Sequence, residues 1–286
     1  MIKKMTKEYE QELTEFLCIN NSKKESYIAW LPDNFEEISG LNKENFNLCI
    51  EEDRIVGCLG IYLSVEQKVA RLLGPMILPQ YFMQYADLLY EKCMHELPPN
   101  TMEVKIAFFS YNELCMRWCE RTGFTLYNAE RTMIYSKEIG QINEIDRGDY
   151  TNSHIRAFEP RDKEGVALVH PKGVFYTLDE LVGAISDRNH LLLALQGNEV
   201  MGYVFYEVTT DKSIGEITLL HVKEGARGKG IGRSLLTAAI RNLEQEQVGE
   251  IGINVRVENE GAFRLYSKMG FVEKETILAY RKVLAE

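Results

Sequence analysis

The sequence predicts an α/β (α+β) chain of two tandem domains, each a mixed sheet with helices on its faces. Three observations carry this prediction: an internal repeat, short apolar strand segments alternating with amphipathic helical ones, and cap and turn residues at the joins. The 286 residues are 45% hydrophobic and 27% charged, enough for about two domains with buried cores.

The repeat is plain when the chain is laid against itself. "NELCMRWCERTGF" (Asn112 to Phe124) faces "NEGAFRLYSKMGF" (Asn259 to Phe271), 147 residues on. Upstream, "RIVGCLGIYL" at 54 faces "EVMGYVFYEV" at 199, and "ARLLGPMILP" at 70 faces "GEITLLHVKE" at 215, both 145 residues on. The order is kept, and the second copy gains two residues after "LLHVKE". This is the signature of a duplicated domain with different loops in its copies.

The second copy sets out the elements in order. "HIRAFE" (154–159) reads as a strand ended by Pro160, followed by a short helix near 162–169. Thr177 and Glu180 form an S/T-x-x-E capping box for a helix through about Ser186. "LLLALQ" and "EVMGYVFYEV" flank Gly197-Asn198, a hairpin signal. "EITLLHVK" is a strand, and a helix follows it to about Gln247. "EIGINVRV" is a strand, and "NEGAFRLYSKM" is a helix closed by Gly270 at its C′ position. "FVEKETILAYRKVL" gives one or two final strands. The expected division is a first domain over 1–138, a polar linker over 139–153 and a second domain over 154–286.

Composition narrows the function. With 33 Lys and Arg against 43 Asp and Glu, the net charge is −10, which argues against a nucleic-acid partner. The first residues are charged throughout, and no apolar run nears the length of a membrane span, so the expected location is the cytoplasm without a membrane partner. All six cysteines (18, 49, 58, 93, 115 and 119) lie in the first half without a C-x-x-C pair, so buried reduced thiols are expected and no metal site. A homodimer is compatible with these features.

The stretch "EGARGKGIGRSLL" (224–236) places four glycines and three cations between a strand and a helix. Glycines ahead of a helix N-terminus suit an anion, above all a phosphate. Ile231-Gly232 stands where a P-loop needs Lys-Ser/Thr, and the G-x-G-x-x-G fingerprint is broken at Arg233 and at Leu235. What remains is Arg227-x-x-Gly230-x-Gly232. Gly228, Gly230 and Gly232 let the backbone turn tightly, so their N–H groups and those of Lys229, Ile231 and Arg233 can meet phosphate oxygens.

This loop resembles the diphosphate loop of the GNAT superfamily of N-acyltransferases. The resemblance extends to the preceding strand "ITLLHVK" and to Asn259-x-x-Ala262-x-x-Leu265-Tyr266-x-Lys268-x-Gly270-Phe271, similar to the family's second signature. It covers 154–286 directly and 1–138 through the duplication. It implies two mostly antiparallel acyl-CoA N-acyltransferase domains in tandem and acetyl-CoA as co-substrate, without a metal. The expected activity is acetyl transfer to a primary amine of a small molecule or peptide, directly within a ternary complex. A non-catalytic acyl-CoA sensor is the alternative.

Family likeness also implies roles. Leu220, His221 and Val222 would offer a strand edge to the pantetheine amides, with "GINV" (252–255) diverging beside them. One of their N–H groups would polarise the thioester carbonyl. Tyr266 stands at the general-acid position, with a packed core tyrosine as the plain alternative. Asn259 caps its helix and would also reach the cofactor. Glu216 matches a glutamate that acts as base through water in some members, and His221 is the other titratable choice. The first copy has "QYFMQYADLL" opposite the glycine loop and Cys119 opposite Tyr266, so it is expected to keep the fold and lose the cofactor.

Overall fold

The computed structural model describes residues 1–32, 35–136, 154–171, 176–210 and 212–284. The expected linker over 139–153 falls outside the described residues. The chain forms two compact units: Met1–Glu130 with Glu275–Glu286, and Arg131–Lys274.

In the first unit the elements run β1 (Ile2–Lys4), α1 (Glu10–Asn21), α2 (Phe35–Gly40), β2 (Phe46–Glu51), β3 (Arg54–Ser64), β4 (Val69–Ile77), α3 (Phe82–His95), β5 (Glu103–Phe109) and α4 (Glu113–Arg121). The chain then enters β6 (Thr125–Tyr135) and crosses into the second unit inside it. There it builds β7 (His154–Ala157), α5 (Lys163–Ala167), α6 (Leu178–Gly183), β8 (Asn189–Gln196), β9 (Glu199–Val208), β10 (Ile214–Val222), α7 (Ile231–Gln245), β11 (Glu250–Arg256) and α8 (Glu260–Lys268). Inside β12 (Phe271–Val283) it returns to the first unit.

Strand order is β1-β2-β3-β4-β5-β12 in the first unit and β6-β11-β10-β9-β8-β7 in the second. β4 pairs with β5 and β10 with β11 in parallel, and the pairs β1–β2, β2–β3, β3–β4, β5–β12, β7–β8, β8–β9 and β9–β10 are antiparallel. The units differ from the expected domains because the last strand works with the first unit. Ile277 to Val283 pair in register with Phe109 to Glu103, and Tyr280 stacks on Phe108 with ring centroids 5.6 Å apart. Both copies carry a Gly-Phe followed by a strand, so the sequence alone does not say which sheet each strand joins.

The sheet of the second unit is apolar on both faces, which is why its strands read as near-continuous apolar runs. Leu192, Ala194, Val204, Tyr206 and Ile217 pack on one side against Leu235, Leu236, Ala239, Ile240 and Leu243 of α7. Their neighbours Leu191, Leu193, Tyr203, Phe205 and Leu219 pack on the other side with Val166 of α5 and Leu181 of α6. Alternate residues serve opposite faces, as strand geometry requires.

Local signals behave as read. Thr177 accepts from the Glu180 N–H and Glu180 reaches back to the Thr177 N–H, so the capping box is formed. α6 then stops at Gly183, a turn earlier than expected. Gly197 has φ +62° between β8 and β9, and Gly270 has φ +98° after α8. Asn112 and Asn259 each accept a hydrogen bond at 3.1 Å from the third residue of the helix they cap. Among the described residues no cluster suits a metal, and no helix is long and apolar enough to cross a membrane.

Candidate active site

Four elements of the second unit converge on one cleft: the end of β10, the loop after it, the start of α7 and the first turns of α8. β10 and β11 pair in parallel from Ile214–Glu250 to Ile217–Ile253, and the paired residues stop there. β10 continues alone along β9 after an irregularity between Ile217 and Leu219. Its edge over Leu220–Val222 is thereby freed from β11. Gly202 lets β9 come close, because a Cβ there would stand 2.7 Å from the His221 carbonyl oxygen.

The glycine loop turns as its composition requires. Gly228 and Gly230 have φ +75° and +83°, the left-handed region where side chains are strained. Gly230 occupies the N-cap of α7, and no side chain caps that helix, whereas α4, α6 and α8 each carry a side-chain cap. The first N–H groups of α7 therefore lack the partner a side-chain cap would supply, at the positive end of a 15-residue helix. A Cβ on Gly232 would make only ordinary contacts with Leu265 and Val222, at 3.5 and 3.6 Å.

The cleft measures about 680 Å³. Of the residues expected at the site, Leu220, His221, Val222, Arg227, Gly228, Gly230, Ile231, Gly232, Arg233, Asn259 and Tyr266 all line it. Lys229 is exposed and stands outside the wall. Ala226, Gly261, Ala262 and Leu265 complete the lining; Ala262 and Leu265 belong to the second signature read in the sequence, and Ala226 and Gly261 were not singled out there. Ala262 lies four residues before Tyr266 on one helix face, as the spacing implies.

Two titratable groups in the wall are tuned by burial. Tyr266 is 6% exposed, and burial pushes its phenol up to about 12, so it stays a proton donor across the physiological range. Burial, then His170 and Arg227, push His221 down to about 4, so its ring is neutral. His221 faces Tyr203 in the β9–β10 register, and the two rings sit 5.5 Å apart.

Glu216 lies outside the cleft wall, four residues before Leu220, roughly 13 Å along the strand by the usual rise. It sits where β10 and β11 are still paired, opposite Gly252 and Glu207, and its carboxylate accepts from the Asn254 amide at 3.1 Å. Gly252 leaves the room: a Cβ there would collide with the Glu216 carboxylate. Burial first, then the charges of Glu207 and Glu250, push its carboxyl up to about 7. The surrounding polar net went unread in the sequence. His170 binds the Tyr203 hydroxyl at 2.7 Å and the Tyr176 carbonyl at 2.9 Å, and the Tyr176 hydroxyl donates to Glu207 at 3.0 Å. A carbonyl only accepts, so the second contact puts a proton on His170 Nε2.

The corresponding place in the first unit is smaller and differently built. Pro79–Tyr81 and the start of α3 replace the glycine loop, with Phe82 only 3% exposed. The pairing of β4 with β5 also stops early, at Arg71–Lys105, but the edge of β5 beyond it is taken by the chain itself. Ile28 bridges to Phe108, and the Ala29 N–H donates to the Ala107 carbonyl at 2.9 Å. A cleft of about 270 Å³ remains, lined by Pro75, Pro79 and Phe82 among others.

Comparison with known proteins gives a consistent picture. Residues 142–271 match the acetyltransferase (GNAT) family. A mycothiol acetyltransferase from Streptomyces avermitilis is 35% identical over 95 residues, covering 33% of this chain and 31% of that protein. Its counterpart from Streptomyces scabiei is 30% identical over 139 residues, covering 44% and 45% respectively. The chain thus spans less than half the length of these curated relatives. Among solved structures, a GCN5-related N-acetyltransferase from Sphaerobacter thermophilus superposes with TM-score 0.71 at 18% identity, over 99% of this chain and 95% of that one. A tandem GNAT protein from the clavulanic acid biosynthesis pathway superposes with TM-score 0.71 at 10% identity, over 100% and 99%. The fold is that of tandem GNAT proteins, as the repeat predicted.

Proposed function

Since residues 142–271 match the acetyltransferase (GNAT) family, we propose that this chain moves an acetyl group from acetyl-CoA to a primary amine of a small molecule or peptide. The observation that carries the proposal is the 680 Å³ cleft, which joins a freed strand edge, a helix start with no side-chain cap and a buried phenol. Those features suit the parts of acetyl-CoA in order. The α7 N-terminus and the loop N–H groups take the pyrophosphate. The β10 edge over Leu220–Val222 takes the pantetheine amides as an added strand would. Tyr266 stands ready beside the sulfur.

Transfer requires a free amine, a polarised carbonyl and a protonated leaving thiol. Glu216, with its proton affinity near neutrality, is suited to take the ammonium proton. Given its distance from Leu220, it works through water. A backbone N–H of the β10 edge supports the developing negative oxygen. Tyr266 donates to the departing sulfur. His221, neutral and pushed far down, is the weaker base. The second unit contains no cysteine to carry the acetyl group, which supports direct transfer within a ternary complex. The relatives named as mycothiol acetyltransferases match this chain over part of their length, and the reading claims only an amine-bearing acceptor.

The test is thiol release from acetyl-CoA with a panel of a polyamine, an amino sugar, an amino acid and a peptide N-terminus. Amine-dependent release is the expected result. Tight acetyl-CoA binding by calorimetry without release on any amine would instead mark a sensor.

A further inference from the structure

Glu207 and Glu216 are direct partners across the antiparallel β9–β10 ladder, so both side chains leave the sheet on one face. Glu207 is held at both oxygens: Oε1 accepts from the Tyr176 hydroxyl at 3.0 Å and Oε2 from the Thr218 hydroxyl at 2.6 Å. Glu216 is held by the Asn254 amide. Among the described residues neither carboxylate has an ion-pair partner, whereas nearby Glu250 pairs with Lys274 at 3.3 Å. Like charges placed directly opposite each other weaken a sheet, so this pair does not serve folding.

We propose that Glu207 is a positioning residue of the transfer reaction, fixing the electrostatic surroundings in which Glu216 receives the amine's proton. The inference rests on the reading of Glu216 as the base. In that step an ammonium N–H bond breaks, the electron pair stays on nitrogen, and the proton passes through water to a Glu216 oxygen. A second negative charge across the ladder favours the protonated product of that step. The groups that face Glu216 are Glu207 from β9, Asn254 and Glu250 from β11, and Thr218 two residues along β10. Lys274 of β12 offsets Glu250, and Tyr176 reaches Glu207 from the approach to α6. Among the described residues Glu207 thus has no cationic partner, and its charge raises Glu216 more than that of Glu250 does.

The experiment is a carbon-13 titration of glutamate carboxyls in the full chain, with Glu216 identified by its loss in Glu216→Gln. In Glu207→Gln, which keeps the shape of the side chain, removes its charge and reverses one of its two accepted hydrogen bonds, the Glu216 midpoint should fall by about one unit. In Glu207→Asp, which keeps the charge, it should stay near the wild-type value. Unchanged melting and acetyl-CoA binding in both variants certify the fold. An unmoved midpoint in Glu207→Gln overturns the inference. Wild-type acetyl transfer by Glu216→Gln on the amine panel overturns the base reading instead, so the two failures are distinct.

Discussion

The Arg227 side chain turns back on the strand that precedes its loop: Nε donates to the carbonyl of Val222 at 3.2 Å. The guanidinium thus braces the turn between β10 and the glycine loop, and on the proposed reading the pyrophosphate would be held mainly by the loop's main chain. Arg227→Ala should therefore weaken acetyl-CoA binding by about tenfold or less, the range of one exposed charge. Gly230→Glu should abolish it, because the residue has φ +83° and the new carboxylate would stand at the helix N-terminus. Titration calorimetry on both variants checks the ranking, and the reverse order would shift the weight to side-chain charge.

Tyr266 is buried in the cleft wall with its phenol pushed up to about 12. If it delivers a proton to the leaving thiol, Tyr266→Phe should lower kcat by about a hundredfold, the low end for a general acid. Acetyl-CoA affinity should hardly change, since the ring stays and only the hydroxyl goes. Equal loss of affinity and of kcat would make it a packing residue.

Much of this was legible beforehand, for physical reasons. The short apolar strand runs, the Thr177–Glu180 box and the two capping asparagines are local, so they follow from the nearby sequence alone. Gly228 and Gly230 were legible because positive φ leaves few other residue choices. Glu207 opposite Glu216 was hidden, since their register depends on an irregular connection and the break between Ile217 and Leu219. The plugging of the first unit by Ile28 and Ala29 is a contact across some 80 residues of chain, and no local pattern announces it.

That plug predicts a stoichiometry. The edge of β5 beyond its parallel pairing with β4 is covered by the chain's own backbone, and Phe82 sits where the glycine loop would be. Calorimetry should give one acetyl-CoA per chain, and Gly230→Glu should reduce it to none. A residual site in that variant would place a second nucleotide in the first unit.

The pH dependence of stability follows from Glu216. Its folded carboxyl titrates near 7 and its unfolded one near 4.5, so the folded state favours the neutral acid. The sign is fixed by that order: this contribution is complete below about 4.5 and is lost as pH rises through 7. Glu216→Gln removes the titration. The Tm of the variant should gain on wild type between pH 5 and pH 8. A constant difference across that range would mean an ordinary, solvated carboxyl.

The last strand gives the sharpest test of how the units are composed. Tyr280 lies near the chain end, 4% exposed, stacked on Phe108 and paired with Ile106 of β5. If residues from Glu275 onward belong to the first unit, Tyr280→Ala should remove about 3 kcal/mol or more from that unit, the usual result of emptying a buried aromatic site. Amide exchange should then quicken at Ile106 and Phe108 while Val204 and Leu236 in the second unit stay protected. The opposite pattern, with exchange quickened around β11, would return the strand to the copy that encodes it.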